Sequence, residues 1–368
     1  MDFSFSPEQD QLRAQARSFL EKRFPAAHIA ELATSDEGWD RASWPEIARL
    51  GWTGASISEA QGGAGLTFVE EAIVFEELGR ALYPGPYFST VALALPALGC
   101  AADLVARVAA GALTATLTAH DGGRPSGSAS ENGTTVQARR VGERYLLRGE
   151  KDLVPDAGCV DAFVVQARGP DGVGLYFAER RDGRPRISVL DTVDATRRLG
   201  RVTFEDDEAR LLAAPPAAAE ILARTRRRAL AALALEAVGI ASRAIALGVE
   251  HAKTRQQFGR PIGAYQAVSH KLADTYVETE LARSLAYWAA WCIAEDEGEA
   301  ELAASAAKAY AAEAAVAACE RAIQVHGGMG FTWEHPLHRF YKRALWIESF
   351  DRSAAAHRAE VARMLFGD

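Results

Sequence analysis

A multidomain α+β chain is predicted, with an N-terminal helical domain over 1–115, a middle β-barrel or sandwich domain over 116–212 and a C-terminal four-helix bundle over 213–368. Three observations predict it. Apolar residues recur at helical spacing up to Ala110, short β-branched runs separated by turn residues replace them after Gly111, and beyond Pro215-Pro216 an alanine-rich helical period resumes.

The first helix is expected from Ser6 to about Phe24. Ser6 is a good N-cap, Pro7 suits the first helical position, and Leu12, Ala16, Phe19 and Leu20 form one stripe. A short helix from Trp44 to Leu50 ends at Gly51, and the loop after it carries Gln61-Gly62-Gly63-Ala64-Gly65, read as a tight turn. Thr67 to Leu82 has Val69, Ala72, Ile73, Phe75, Leu78 and Leu82 on one face, and further helix is expected from Ser89 to about Ala110. The strand candidates are Thr134 to Ala138, Arg144 to Leu147, Ala162 to Gln166, Gly174 to Ala178, Ile187 to Leu190 and Arg201 to Phe204. The bundle helices are expected at Ala219 to Thr254, Ala264 to Ala294, Glu301 to Gly327 and Ser353 to Phe366.

Composition narrows the function. The 368 residues carry 41 basic and 49 acidic side chains, a net charge of -8, so there is no footprint for nucleic acid. Cys100, Cys159, Cys292 and Cys319 lie far apart without a C-x-x-C pair, which argues against a disulfide framework or a metal site and for a reducing compartment. The first residues lack a basic-then-apolar leader, and no apolar run is expected to span a bilayer. The expectation is a cytoplasmic protein without a membrane partner.

Two motifs carry the chemistry. The first is Arg255-Gln-Gln-Phe258-Gly259-Arg-Pro261-Ile262-Gly-Ala-Tyr265-Gln266, and the second is Gln324-Val-His-Gly327-Gly328-Met-Gly330-Phe331. Together and in this order they resemble the signatures of the acyl-CoA dehydrogenase family. Weaker agreement runs through Gly51-Trp52, Glu76-Glu77-Leu78-Gly79-Arg80 and Thr196-Arg197-Arg198-Leu199-Gly200. The resemblance implies FAD held noncovalently between subunits of a dimer of dimers. Arg255 and Phe258 are similar to positions that reach a neighbour's cofactor, and Gln324, Gly327 and Gly328 to those that receive its adenine end, with Gln266 and Ser353 as further cofactor-binding positions. Residue chemistry agrees, since a guanidinium offers a rigid fork of donors to a diphosphate. Paired glycines let backbone amides approach an anion.

The implied reaction is α,β-desaturation of an acyl-CoA thioester, in which a base takes the α proton and a hydride leaves the β carbon for the flavin. Counted from Pro336, the family's glutamate base falls on Asp351, with Arg352 and Ser353 after it. Aspartate is shorter by roughly 1.3 Å, and a misplacement of about 1 Å can cost on the order of a hundredfold in rate. Asp351 can equally be the N-cap of the helix that follows. The other candidate base is Glu236, the one acid in Leu233-Ala-Leu-Glu236-Ala-Val-Gly239. It can instead be half of an ion pair with Arg243 or Arg255.

The middle domain departs from the family. Where a Thr-Glu-Pro-x-x-Gly-Ser-Asp run is usual, the chain has Leu117-Thr118-Ala119-His120-Asp121 and then a Gly/Ser-rich stretch from Gly122 to Gly133. Where a hydroxyl usually meets the flavin, it has Lys151-Asp152-Leu153-Val154-Pro155, and proline cannot donate a hydrogen bond. Two functions therefore stand side by side. One is an active dehydrogenase taking acyl-CoA and passing electrons to an electron-transfer flavoprotein or similar carrier, as a homotetramer. The other is a catalytically silent subunit of a heterotetramer with a homologous chain, resembling actinobacterial dehydrogenases of steroid side-chain breakdown, that completes its partner's FAD site.

Overall fold

The structure is a computed structural model that describes residues 5–118 and 134–367. His120, Asp121 and the Gly122 to Gly133 stretch lie outside the described residues. In chain order, helices α1 (Pro7–Arg23), α2 (Ala26–Thr34), α3 (Trp44–Arg49), α4 (Phe68–Ala81), α5 (Leu95–Leu98) and α6 (Ala102–Ala109) come first. Seven strands follow: β1 (Ala115–Thr118), β2 (Gln137–Val141), β3 (Arg144–Pro155), β4 (Ala162–Gly169), β5 (Gly172–Glu179), β6 (Arg186–Val189) and β7 (Leu199–Ala213). After them come α7 (Ala217–Thr254), the short strands β8 (Gln256–Gln257) and β9 (Arg260–Pro261), and helices α8 (Gln266–Ala294), α9 (Ala300–His326), α10 (Leu337–Ser349) and α11 (Ala354–Phe366). These elements form two compact units.

One unit comprises Met1–Glu31, Phe68–Tyr83 and Leu230–Asp368. Helix α1 begins in a capping box, with Ser6 Oγ accepting from Gln9 N at 3.2 Å and Gln9 Oε1 accepting from Ser6 N at 3.0 Å. Helix α9 packs against α8, α10 and α11, and its inner face is nearly all alanine, which lets its neighbours come close. Helices α4 and α7 cross backbone to backbone. A Cβ on Gly79 would come within 2.1 Å of the Glu236 carbonyl oxygen, and one on Gly239 within 2.0 Å of the Glu76 carbonyl oxygen, so the crossing requires glycine on both helices. Glu76, buried near this crossing, is met by Arg13 (2.8 Å), Arg283 (3.1 Å) and the Tyr287 hydroxyl (2.8 Å).

The other unit comprises Leu32–Thr67 and Pro84–Ala229. Its strands close on themselves: β4 pairs β2, β2 pairs β3, β3 pairs β7, β7 pairs β5, and β5 returns to β4. The middle domain is thus a small barrel. Its interior holds Val136, Leu147, Phe163, Val165, Tyr176, Val202 and Phe204, which come from alternate positions of the strands. Strand β1 adds in parallel to β4, and β6 adds to β7. Arg198, in the Thr196 to Gly200 motif, ties this unit together by donating to the carbonyls of Ser35 and Asp36.

Several features differ from the sequence expectation, among them the additional strands β1, β8 and β9. Helix α10 occupies residues read as connection, because its buried face is set by Leu337, Phe340, Arg343 and Ile347, and a buried arginine interrupts the apolar pattern. Helix α2 is also additional. The expected helix from Ser89 to Ala110 is instead a π-helical segment, Phe88–Ala94, followed by α5 and α6. Finally, α7 contains a window apolar enough to cross a membrane by length and composition, although 72% of that window is buried inside the protein, as in a core helix.

Candidate functional site

The two signature segments meet in one unit. Helix α7 ends where Arg255 N donates to His251 O (2.9 Å), and the chain turns back through β8 and β9, whose connecting residues Phe258 and Gly259 both have positive φ (50° and 79°). This is the backbone of a tight two-residue hairpin. It leaves the Phe258 ring 91% exposed, a large apolar group held in solvent by a well-formed turn. Arg260 lies over the Tyr265 ring (4.1 Å) and the Tyr265 hydroxyl donates to Gln257 O (3.1 Å), so the hairpin is braced against the start of α8, where Gln266 stands exposed.

Helix α9 brings the second segment alongside. The His326 ring, near the end of α9, stacks on that of His251 (4.3 Å between centroids), and the His335 ring packs against His326 at a tilt (4.4 Å). His326 Nδ1 donates to Ala322 O (2.8 Å), which fixes the ring. Gln324 is exposed, Gly327 takes φ 62°, and nothing lies within 4 Å of a Cβ built on Gly327 or Gly328. The result is an exposed guanidinium, an exposed aromatic ring and an open glycine turn beside one another. Met329, Phe331 and Trp333 extend the exposed apolar surface.

Asp351 lies past the end of α10 with φ 63°. Lys308 of α9, fully buried, donates to the carbonyls of Glu348 and Arg352 (2.8 Å each) and so pins the turn that carries Asp351. The Asp351 side chain is 9% exposed, and its Oδ2 lies 3.5 Å from Nε2 of the fully buried His357, whose Nδ1 lies 3.7 Å from Glu360. Asp351 is not the N-cap of α11. That position belongs to Ser353, whose Oγ accepts from Ala356 N (3.3 Å). The carboxylate of Asp351 is thereby left to face an imidazole.

Glu236 is half of an ion pair, but not with Arg243 or Arg255. Its partner is Arg343 of α10 at 2.5 Å, with both side chains buried. A carboxylate so engaged is poorly placed to collect a substrate proton.

In the barrel unit, the Lys151 to Pro155 segment presents no side-chain hydroxyl. Lys151 is buried, with Nζ donating to Thr134 Oγ1 (3.0 Å), and Asp152 pairs with Arg201 (2.9 Å). A register shift between Lys151 and Val154 turns Leu153 outward at φ 52°. Among the described residues no group of His, Cys, Asp and Glu could hold a metal ion.

Sequence reasoning missed Lys308, His357 and Arg343. A signal existed for each in the form of a charged or polar group on an otherwise apolar helical stripe. Lys308 shares one with Ala304 and Ala311, and His357 sits a turn beyond Ser353.

A closed barrel between helical segments and a paired arginine-aromatic and glycine site define a class, and comparison with known proteins agrees. "Acyl-CoA dehydrogenase, N-terminal domain" matches residues 6–120, and "Acyl-CoA dehydrogenase, C-terminal domain" matches residues 219–366. The chain belongs to the acyl-CoA dehydrogenase family, whose members are FAD-dependent oxidoreductases acting on CH–CH bonds. It is 32% identical over 338 residues to acyl-CoA dehydrogenase IpdE2 of Mycobacterium tuberculosis, covering 92% of this chain and 91% of that one. The solved Tcur3481–Tcur3483 steroid ACAD is 30% identical with a TM-score of 0.86, covering 97% of each chain. The ChsE4–ChsE5 complex of Mycobacterium tuberculosis is 25% identical with a TM-score of 0.88, covering 99% of each.

Proposed function

We propose that the chain serves FAD-dependent α,β-desaturation of an acyl-CoA thioester. The observation that carries this reading is the convergence of Arg255 and Phe258 with Gln324, Gly327 and Gly328 through the His251–His326 stack. These groups fit one end of a dinucleotide. Arg255 supplies charge-assisted donors to a diphosphate, the open Gly327-Gly328 turn admits an anion without steric hindrance, and Phe258 offers a face for a ring. Gln266 stands exposed at the start of α8, beside the hairpin, as a further contact, whereas Ser353 caps α11 beside the Lys308 part of α9, away from the Gly327 turn. Bound FAD would accept the hydride that leaves the β carbon.

This chain's own part is the α proton. Asp351 would receive it, with His357 orienting the carboxylate and Lys308 fixing the turn. Glu236, held by Arg343, is the weaker candidate. Electrons would leave to an electron-transfer flavoprotein or a similar carrier. Free cysteines at positions 100, 159, 292 and 319 suit a cytoplasmic setting.

A second reading rests on a specific observation: Asp351 is turned toward a buried imidazole, and the Lys151 to Pro155 segment offers no side-chain hydroxyl. In this reading the chain is a silent subunit of a heterotetramer that lends its Arg255 and Gly327 segments to a homologous partner's FAD. The two solved relatives named above, each named for two chains, favour that arrangement. The alternative is a homotetramer. The two readings are separated by purifying the chain alone, recording its bound-flavin absorbance and adding acyl-CoA without oxygen. A yellow protein bleached by substrate, with bleaching lost in Asp351→Asn, supports the active enzyme. A colourless chain that acquires flavin only with a co-expressed homologue supports the silent subunit.

A further inference from the structure

A cleft lies in the helical unit, enclosed by α1, α2, α4, α7 and the start of α10, with a volume of about 330 Å³. Its walls are of two kinds. Leu20, Phe24, Ile29 and Phe340 supply apolar surface, and the charged wall sets four guanidinium groups, those of Arg17, Arg80, Arg243 and Arg339, against two carboxylates, those of Glu21 and Glu77. Arg17 is satisfied within the protein by a bidentate pair with Glu77 at 2.6 and 2.9 Å. The other three are not so matched.

The glycine crossing explains how two of them come together. Arg80 directly follows Gly79, and Arg243 lies one turn beyond Gly239, so the backbone contact between α4 and α7 carries both side chains into one cleft. Among the described residues no carboxylate comes within ion-pair distance of Arg80 or Arg243, and the buried Arg80 Nε has no hydrogen-bond acceptor. Arg339 donates only a long bond to Trp333 O (3.5 Å). Burial pushes the Arg80 guanidinium below its ordinary range, with the charges of Arg17 and Arg243 adding to it and those of Glu77 and Glu21 opposing. Unpaired buried donors and like charges side by side are unfavourable unless an anion completes them.

We propose that this cleft binds a small amphipathic anion, its carboxylate or phosphate held by Arg80, Arg243 and Arg339 and its apolar body lying on Leu20, Phe24, Ile29 and Phe340. The site is separate from Asp351. Pro336 and Arg339 stand at the start of α10 and Asp351 past its end, and a helix of that length spans about 20 Å. The inference rests on the cleft and not on the dehydrogenase reading.

The test is calorimetric titration of the full chain with octanoate, octyl phosphate, inorganic phosphate and octanol, with acyl-CoA absent and then saturating. Octanoate or octyl phosphate is expected to bind, whichever is tighter naming the head group, with octanol at least tenfold weaker. Arg80→Gln and Arg243→Gln should each weaken binding at least tenfold, whereas Asp351→Asn and Arg255→Ala should leave it unchanged. If a variant of the crossing fails to fold, Arg339→Gln at the mouth carries the same expectation. Equal binding of octanol, unchanged binding in the arginine variants, or displacement by octanoyl-CoA would overturn the proposal. Inorganic phosphate binding as tightly as octyl phosphate would also overturn it, because the apolar wall would then contribute nothing. Flavin absorbance is not read, so failure here leaves the dehydrogenase reading standing, and the reverse also holds.

Discussion

His251 and His326 stack at 4.3 Å with their planes 25° apart, joining the ends of α7 and α9. Arg255 lies one turn beyond the first and Gly327 immediately after the second, so the stack sets the distance between the two halves of the proposed cofactor grip. Aromatic pairs contribute about 0.5–1.5 kcal/mol beyond burial, up to roughly tenfold in an equilibrium. His326→Ala is expected to weaken flavin retention by about that factor, and His326→Phe to restore most of it. Retention measured by dialysis and absorbance decides between a spacing role and a bystander, since a bystander leaves retention unchanged in both variants.

Glu236 and Arg343 form a buried pair linking α7 to α10. Removing one partner leaves a charge buried without compensation, which typically costs about 3–5 kcal/mol, while replacing both by apolar groups can be nearly neutral. Glu236→Gln and Arg343→Met should each lower stability by several kcal/mol in denaturant unfolding, and Glu236→Leu combined with Arg343→Met should recover most of it. Additive losses would show that the two residues do not act as a pair.

Gly239→Ala tests the α4–α7 crossing. Alanine gains about 1 kcal/mol of helix propensity but forces a methyl group against the Glu76 carbonyl at 2.0 Å, and overpacking costs up to about 3 kcal/mol. A net loss of stability is expected. A stabilised variant would mean that the helices can separate at no cost.

Acid should unfold the helical unit in two stages. Burial, then the charges of Arg339 and Lys342, push His338 down from 6.5 to about 4. A base with a depressed pKa favours the folded state while neutral, so this contribution is complete above pH 6.5 and is lost as pH falls toward about 4. Burial alone would raise the Glu76 carboxyl, but Arg283 and Arg13 outweigh it and hold the group below 4.5, so its contribution disappears only below that pH. His338→Gln should flatten stability between pH 6.5 and 4 and leave the lower stage intact. Glu76→Gln should remove the lower stage.

Much of the fold was legible because local signals agreed with tertiary demands. The Ser6 cap, the α4 stripe and the alternating strands each announced themselves within a few residues. Helix α10 did not, because its buried face includes Arg343, whose partner Glu236 lies 107 residues away and supplies a pairing that no local window contains. The same limit governs the site. Arg255 and Gly327 stood out as motifs, but their neighbourhood depends on two histidines meeting across helices. Asp351 was found by counting from Pro336, whereas the Lys308 that fixes its turn and the His357 that faces it come from α9 and α11. The capping role expected of Asp351 passed to Ser353 because the left-handed φ at Asp351 delays the helix by two residues.

The central claim is that the Arg255 to Gly259 turn and the Gln324 to Gly328 turn together grip FAD. Its most direct test is flavin per protomer in the purified assembly, with the homologous partner present if one is needed, for the native chain against Arg255→Ala, with circular dichroism confirming the fold. The account predicts that Arg255→Ala loses flavin on dialysis, more steeply at high salt because a charge-assisted contact to a diphosphate has gone. Full flavin occupancy in a folded Arg255→Ala assembly, at low and high salt alike, would contradict it.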